Sequence, residues 1–166
     1  MRLYNVFFPI WMLLFFPPII LLTLPVNFAF DLAVLLLTLK FSHVENGRKC
    51  AMAVILRVWL CGFAADLLGA LLMLLPVVPF NLGESLEAVF YNPFAHVESF
   101  LWTTLCIAVS AAAIYSLNYY FCLRKLPLES RLRRRLSLSL AVFTAPYLYY
   151  MPTTLFYDIM SFLIAA

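Results

Sequence analysis

Apolar residues run through four long stretches of this chain, and the polar residues gather between them. No stretch alternates with the period of two expected of a half-buried strand, and each apolar run is far longer than a strand. A helix needs about 20 apolar residues to cross a bilayer, and each stretch supplies roughly that number. The pattern predicts an all-α integral membrane protein, a four-span helical bundle with a fifth span as the alternative.

The first block runs from Leu3 to Leu39. As one straight helix it would be about 55 Å long, well beyond a hydrocarbon core of ~30 Å. Pro9, Pro17, Pro18 and Pro25 interrupt it. Proline lacks an N–H and restricts the residue before it, so a break is expected near Pro17–Pro18. The first span is then 19–40. Residues 3–16, rich in Phe, Tyr and Trp, form an interfacial or re-entrant segment or an extra span, the last with a turn near Pro25. The remaining spans are 50–75, 99–123 and 136–157, the fourth kinked at Pro146 and Pro152. Within 76–98, Leu82, Leu86, Val89 and Phe90 recur at helical spacing around Glu84 and Glu87. That describes a short amphipathic helix ending near Asn92–Pro93. The whole chain, 1–166, reads as a single polytopic transmembrane domain.

Charge gives this architecture an orientation. Every Lys and Arg except Arg2 falls within Lys40–Arg57 or Arg124–Arg135, whereas 76–98 carries Glu84, Glu87 and Glu98 and no basic residue. The positive-inside rule puts loops 40–49 and 124–135 in the cytoplasm and loop 76–98 outside, in a multi-pass protein of the cell membrane. The chain is 66% hydrophobic and 11% charged. Soluble domains are usually about 25% charged, so composition agrees with the pattern. The net charge of +3 comes from the topology-setting loops and gives no basic face for nucleic acid.

Charges inside the spans are costly and mark places where function resides. Three stand out. Asp31 lies nine residues before Lys40 and Arg57 eight after Lys49, at depths of about 12–13 Å on consecutive antiparallel helices. Equal depth predicts an Asp31–Arg57 ion pair. The alternative is that Arg57 snorkels to the headgroups. Asp66 lies deeper, among Gly62, Ala65, Gly69 and Ala70, small residues that let helices approach closely in lipid. Asn27 is its nearest expected polar partner and shares a face with Asp31. A polar seam of Asn27, Asp31, Arg57 and Asp66 follows, but Arg57 and Asp66 stand about 180° apart on their helix, so one of them faces elsewhere.

Other features are plainer. Arg124, Lys125, Arg131, Arg133, Arg134 and Arg135 could contact anionic lipid or could simply set topology. Tyr147, Tyr149, Tyr150 and Tyr157 fit an interfacial aromatic belt. Ser110, Ala111, Tyr115 and Asn118 fit a helix-packing stripe. The four cysteines contain no C-x-x-C, and the two histidines lie in different loops, so neither a metal site nor a cofactor is expected. No phosphate loop or H-E-x-x-H is present, and no catalytic residue is assigned. The leading expectation is an accessory or structural subunit without catalytic activity, binding the lipid bilayer and other membrane helices as a homo- or hetero-oligomer. The alternative is a small homo-oligomeric transporter or channel using the intramembrane carboxylates. A membrane enzyme acting on lipid is the remote third.

Overall fold

A computed structural model describes residues 17–75, 84–153 and 155. The described residues are helical, with no strand among them. Helix α1 spans Pro17–Phe41, α2 Gly47–Leu74, α3 Glu84–Glu87, α4 Val97–Leu117 and α5 Ser130–Phe143. Three helical stretches are long and apolar enough to cross a membrane: Thr23–Phe41, Gly47–Leu74 and Val97–Lys125.

Helix α1 starts where the proline pair predicts a break. Proline is favoured at a helix start because its missing N–H has no intrahelical partner there. Pro25 lies inside α1 without ending it, so the turn near Pro25 is not formed. Lys40 in the last turn suits the negative end of the helix dipole. The return to α2 is tight. His43 and Asn46 adopt φ of 51° and 59°, the left-handed region that Asn and His enter more readily than most residues. Gly47 then sits against Leu39, where a Cβ would come within 3.2 Å of the Leu39 Cβ.

α2 packs on α1 and α4, and α5 closes the bundle against α1 and α4. Two apolar clusters fill it. One, near the α1–α2 turn, contains Leu35, Leu39, Val54, Val58, Ile114 and Leu136. The other, toward the far end, contains Met73, Val89, Cys106, Ile107, Ala145 and Tyr149. Trp102 donates its indole N–H to the Leu72 carbonyl at 3.2 Å, covering an acceptor in the last turn of α2. Of the expected packing stripe, Ser110 and Asn118 are buried and Ala111 and Tyr115 are half-buried; Ser99 and Thr103 on α4 are buried as well.

The short amphipathic helix is α3 followed by a 3₁₀ turn at Ala88–Phe90. Ala88 and Val89 are fully buried, and Ser99 donates its hydroxyl to the Ser85 carbonyl. It belongs to the bundle. Leu82 lies outside the described residues, as do 3–16, Tyr157 and the rest of 76–83. Beyond α4 the chain makes a π-helical turn at Asn118–Cys122 and a 3₁₀ turn at Leu123–Lys125. Here the Cys122 thiol lies 3.1 Å from that of Cys61.

The segment 136–157 departs most from expectation. Helix begins at Ser130, so Arg131–Arg135 lie within α5 and not in a loop. With 14 residues it is about 21 Å long, short of a full crossing. It stops at Phe143 because Pro146 cannot donate and holds Ala145 out of helical geometry. The chain continues through a 3₁₀ turn at Tyr147–Tyr150. Thr153 then donates its N–H to the Tyr91 carbonyl at 2.8 Å and its hydroxyl to the Phe90 carbonyl at 3.0 Å. The run from Ser130 to Thr153 therefore joins the two ends of the bundle as a helix and a non-helical half.

Gly69 fixes the distance between α2 and the helices beside it. A Cβ there would collide with the Ser110 hydroxyl and lie 3.1 Å from the Tyr149 ring. Gly69→Ala is expected to destabilise the fold by about 1–3 kcal/mol, the usual cost of overpacking. Thermal unfolding in detergent checks this, with Ala70→Gly as a control that adds no bulk.

Candidate functional site

Between the two apolar clusters lies a cavity of about 640 Å³. Its walls come from α1 (Thr23, Asn27, Phe30 and Asp31), α2 (Trp59, Gly62, Phe63 and Asp66) and the broken stretch after α5. Ordinary ligand cavities measure roughly 300–1,000 Å³. Among the described residues that line it, none is Lys, Arg or His.

Helix phase brings the two carboxylates here. Asp31 stands one turn before Leu35 on the buried face of α1 and is only 6% exposed. Its Oδ2 faces Gly62 at a distance where an added Cβ would make ordinary contact, 3.5 Å. The Thr144 side chain is within hydrogen-bonding reach of the Asp31 carboxyl. Gly62 and Asp66 are four apart, so Asp66 lies one turn further along the same face of α2. There it is close enough to interact electrostatically with Asp31. The Oδ1 atom of Asp66 is buried and has no hydrogen-bond partner.

The cavity is held open by contacts around its edge. Trp59 donates its indole N–H to the Leu24 carbonyl at 3.0 Å and meets Phe28 edge to face, with ring centroids 5.9 Å apart. Opposite, Tyr149 is 1% exposed and donates its hydroxyl to the Asp66 carbonyl at 2.5 Å. The chain between carries its own repairs. Thr144 donates to the Leu140 carbonyl at 2.8 Å, and Tyr147 to the Val142 carbonyl at 2.6 Å. Tyr147 supplies a donor to a carbonyl whose helical partner would be Pro146, whereas the Leu140 carbonyl also accepts the Thr144 N–H at 2.9 Å.

The structure brings together Asn27, Asp31, Gly62 and Asp66 and leaves Arg57 out. Arg57 is exposed, and its backbone carbonyl is near the Cys122 thiol, so the Asp31–Arg57 pair is not formed. Depth alone misled, because side chains lean toward the N-terminus of their own helix. On antiparallel neighbours at equal height the tips lean in opposite directions. Asp31 leans toward Gly62, and Arg57 leans back toward the α1–α2 turn. Asn27 lines the cavity without being hydrogen-bonded to Asp66. Gly69 lies outside the lining and serves packing.

Two further readings change. Tyr149 is a buried strut, not part of an interfacial belt. Arg133 is engaged with Tyr119, its guanidinium 4.5 Å from the ring centroid and its Nη2 3.4 Å from the hydroxyl. Arg124, Lys125, Arg131, Arg134 and Arg135 remain exposed. Sequence reasoning missed Thr144 and Tyr149 as parts of the site. The available signal was Pro146, since a proline-interrupted apolar segment often marks a binding site between helices. Among the described residues no trio of His, Cys, Asp or Glu is placed to hold a metal ion. Comparison with protein-family models, curated proteins and solved structures finds no match to this chain.

Arg57→Gln is expected to change stability by no more than about 0.5 kcal/mol, as for an ordinary surface substitution. Breaking a buried ion pair would cost about 3–5 kcal/mol. Chemical or thermal denaturation in detergent distinguishes the two.

Proposed function

We propose that this chain is a multi-pass membrane protein that acts as a small transporter, with Asp31 and Asp66 on its proton and solute path. One observation carries the reading: the backbone breaks after α5 at the same level as a cavity holding two carboxylates and no basic side chain. Non-helical backbone at membrane depth is tolerated where it is buried in protein or lines a cavity. Transporters build substrate sites from such discontinuous helices. An ionisable group in hydrocarbon costs at least ~2.5–3.5 kcal/mol on insertion scales. Two of them in one largely apolar cavity are a large expense for packing alone.

In this reading α1, α2 and α4 cross the bilayer, and α5 with residues 144–153 makes the fourth pass. The basic segments 40–49 and 124–135, the α1–α2 turn and the start of α5 among them, face the cytoplasm, and 76–98 faces outside, by the positive-inside rule. The accessory-subunit reading drew on the small-residue face of α2 and on the amphipathic helix as docking surfaces. Both are used within the chain: Gly69 is covered by Ser110 and Tyr149, and α3 packs on α4. That favours an autonomous role, alone or as a homo-oligomer.

The test is proton flux in proteoliposomes carrying an internal pH dye under an imposed potential. Wild type is expected to exceed empty liposomes, and Asp66→Asn and Asp31→Asn to fall toward the empty level. Wild-type flux equal to that of empty liposomes would remove the reading.

A further inference from the structure

We propose that the cavity binds an organic ammonium ion, a positively charged nitrogen bearing alkyl or aryl groups. The inference rests on the transporter reading for the location of the site and adds the class of ligand.

Three observations point the same way. The first is charge. Asp31 is more than nine-tenths buried, Asp66 has an unpartnered buried oxygen, and no basic side chain among the lining residues balances either. A ligand that completes this site brings positive charge. The second is size. About 640 Å³ is far more than a bare alkali or divalent ion needs, and the two carboxylates are too few to replace a hydration shell of six or more oxygens. The third is the wall. Phe30, Trp59, Phe63, Phe143, Tyr147 and Tyr149 line the same cavity as the carboxylates. Aromatic faces attract cations, each contact giving about 0.5–2 kcal/mol, and aromatic cages are a recurrent means of binding quaternary ammonium. A sugar or a zwitterion would meet few donors here. A neutral hydrocarbon would leave the carboxylates unmatched. An organic cation satisfies both parts of the wall, its charge toward Asp31 and Asp66 and its substituents against the rings.

Gly62 makes room for the charged end. It lies between the two aspartates on α2, and a side chain there would enter the space beside the Asp31 carboxylate. Gly62→Ala should be tolerated in the fold, its Cβ making ordinary contact, whereas Gly62→Leu should occupy the space beside the Asp31 carboxylate.

The experiment uses the full chain in nanodiscs of phosphatidylglycerol and follows Trp fluorescence, since Trp59 lines the cavity. The probe is benzyltrimethylammonium, and the comparison is neopentylbenzene, its neutral carbon isostere. Saturable binding of the cation is expected, weaker by about tenfold or more in Asp31→Asn and in Asp66→Asn, as befits loss of a charged partner in a dry site. Gly62→Leu should abolish it. Equal affinity for cation and isostere in the wild type would overturn the proposal, and that arm needs no variant to fold. Affinity unchanged by both Asn substitutions would overturn it too. Repeating the titration in phosphatidylcholine discs separates two sources of the same chemistry. Competition assigns the site to a lipid headgroup, and unchanged affinity assigns it to a free solute. Ammonium binding without proton flux would keep this inference and remove the transporter reading. Proton flux without ammonium binding would do the reverse.

Discussion

Tyr149 lies in a slot over Gly69, and its hydroxyl donates to the carbonyl of Asp66. This contact ties the stretch after α5 to the middle of α2. It needs a residue without a side chain at position 69, because any Cβ there would press on Tyr149 and on Ser110. With the tyrosine seated, residues 144–148 stand off from α1 and α2, and the space between becomes the cavity. The small-residue face of α2 therefore has two jobs. Ala65, Gly69 and Ala70 bring α2 close to its neighbours, while Gly62 leaves room beside Asp31.

The rest of the site follows from keeping polar groups satisfied where water is scarce. Pro146 leaves the Val142 carbonyl without its helical donor, and the Tyr147 hydroxyl supplies one. Thr153 fastens the end of the segment to Phe90 and Tyr91. The carboxylates are treated differently. Asp31 has the Thr144 side chain within reach, and one oxygen of Asp66 has no partner.

Much of this was legible in the sequence. The long apolar runs gave three helices close to their observed bounds, and proline marked both the start of α1 and the end of α5. The i, i+4 spacings of Asn27 with Asp31 and of Gly62 with Asp66 put the right residues on the right faces, and the 180° separation of Arg57 from Asp66 warned that one would be excluded. Counting depth did not decide which, because height along a helix ignores the lean of side chains and the phase of the helix against its neighbours. The segment 136–157 departs from the sequence reading for a different reason. Composition reports that 136–157 is apolar, but continuity depends on where the chain finds hydrogen-bond partners, and those lie in Phe90, Tyr91 and Asp66, far away in sequence. Tyr149 looked interfacial because its neighbours Tyr147 and Tyr150 are aromatic too. Only the gap over Gly69 distinguishes it.

The central claim is the register that sets Asp31 against Gly62 and Asp66. Disulfide cross-linking in membranes tests it directly, on a chain whose four native cysteines are replaced by alanine. The pair Asp31→Cys with Gly62→Cys is predicted to cross-link rapidly under mild oxidation, and Asp31→Cys with Arg57→Cys to remain reduced. Efficient cross-linking of the second pair and none of the first would contradict the account.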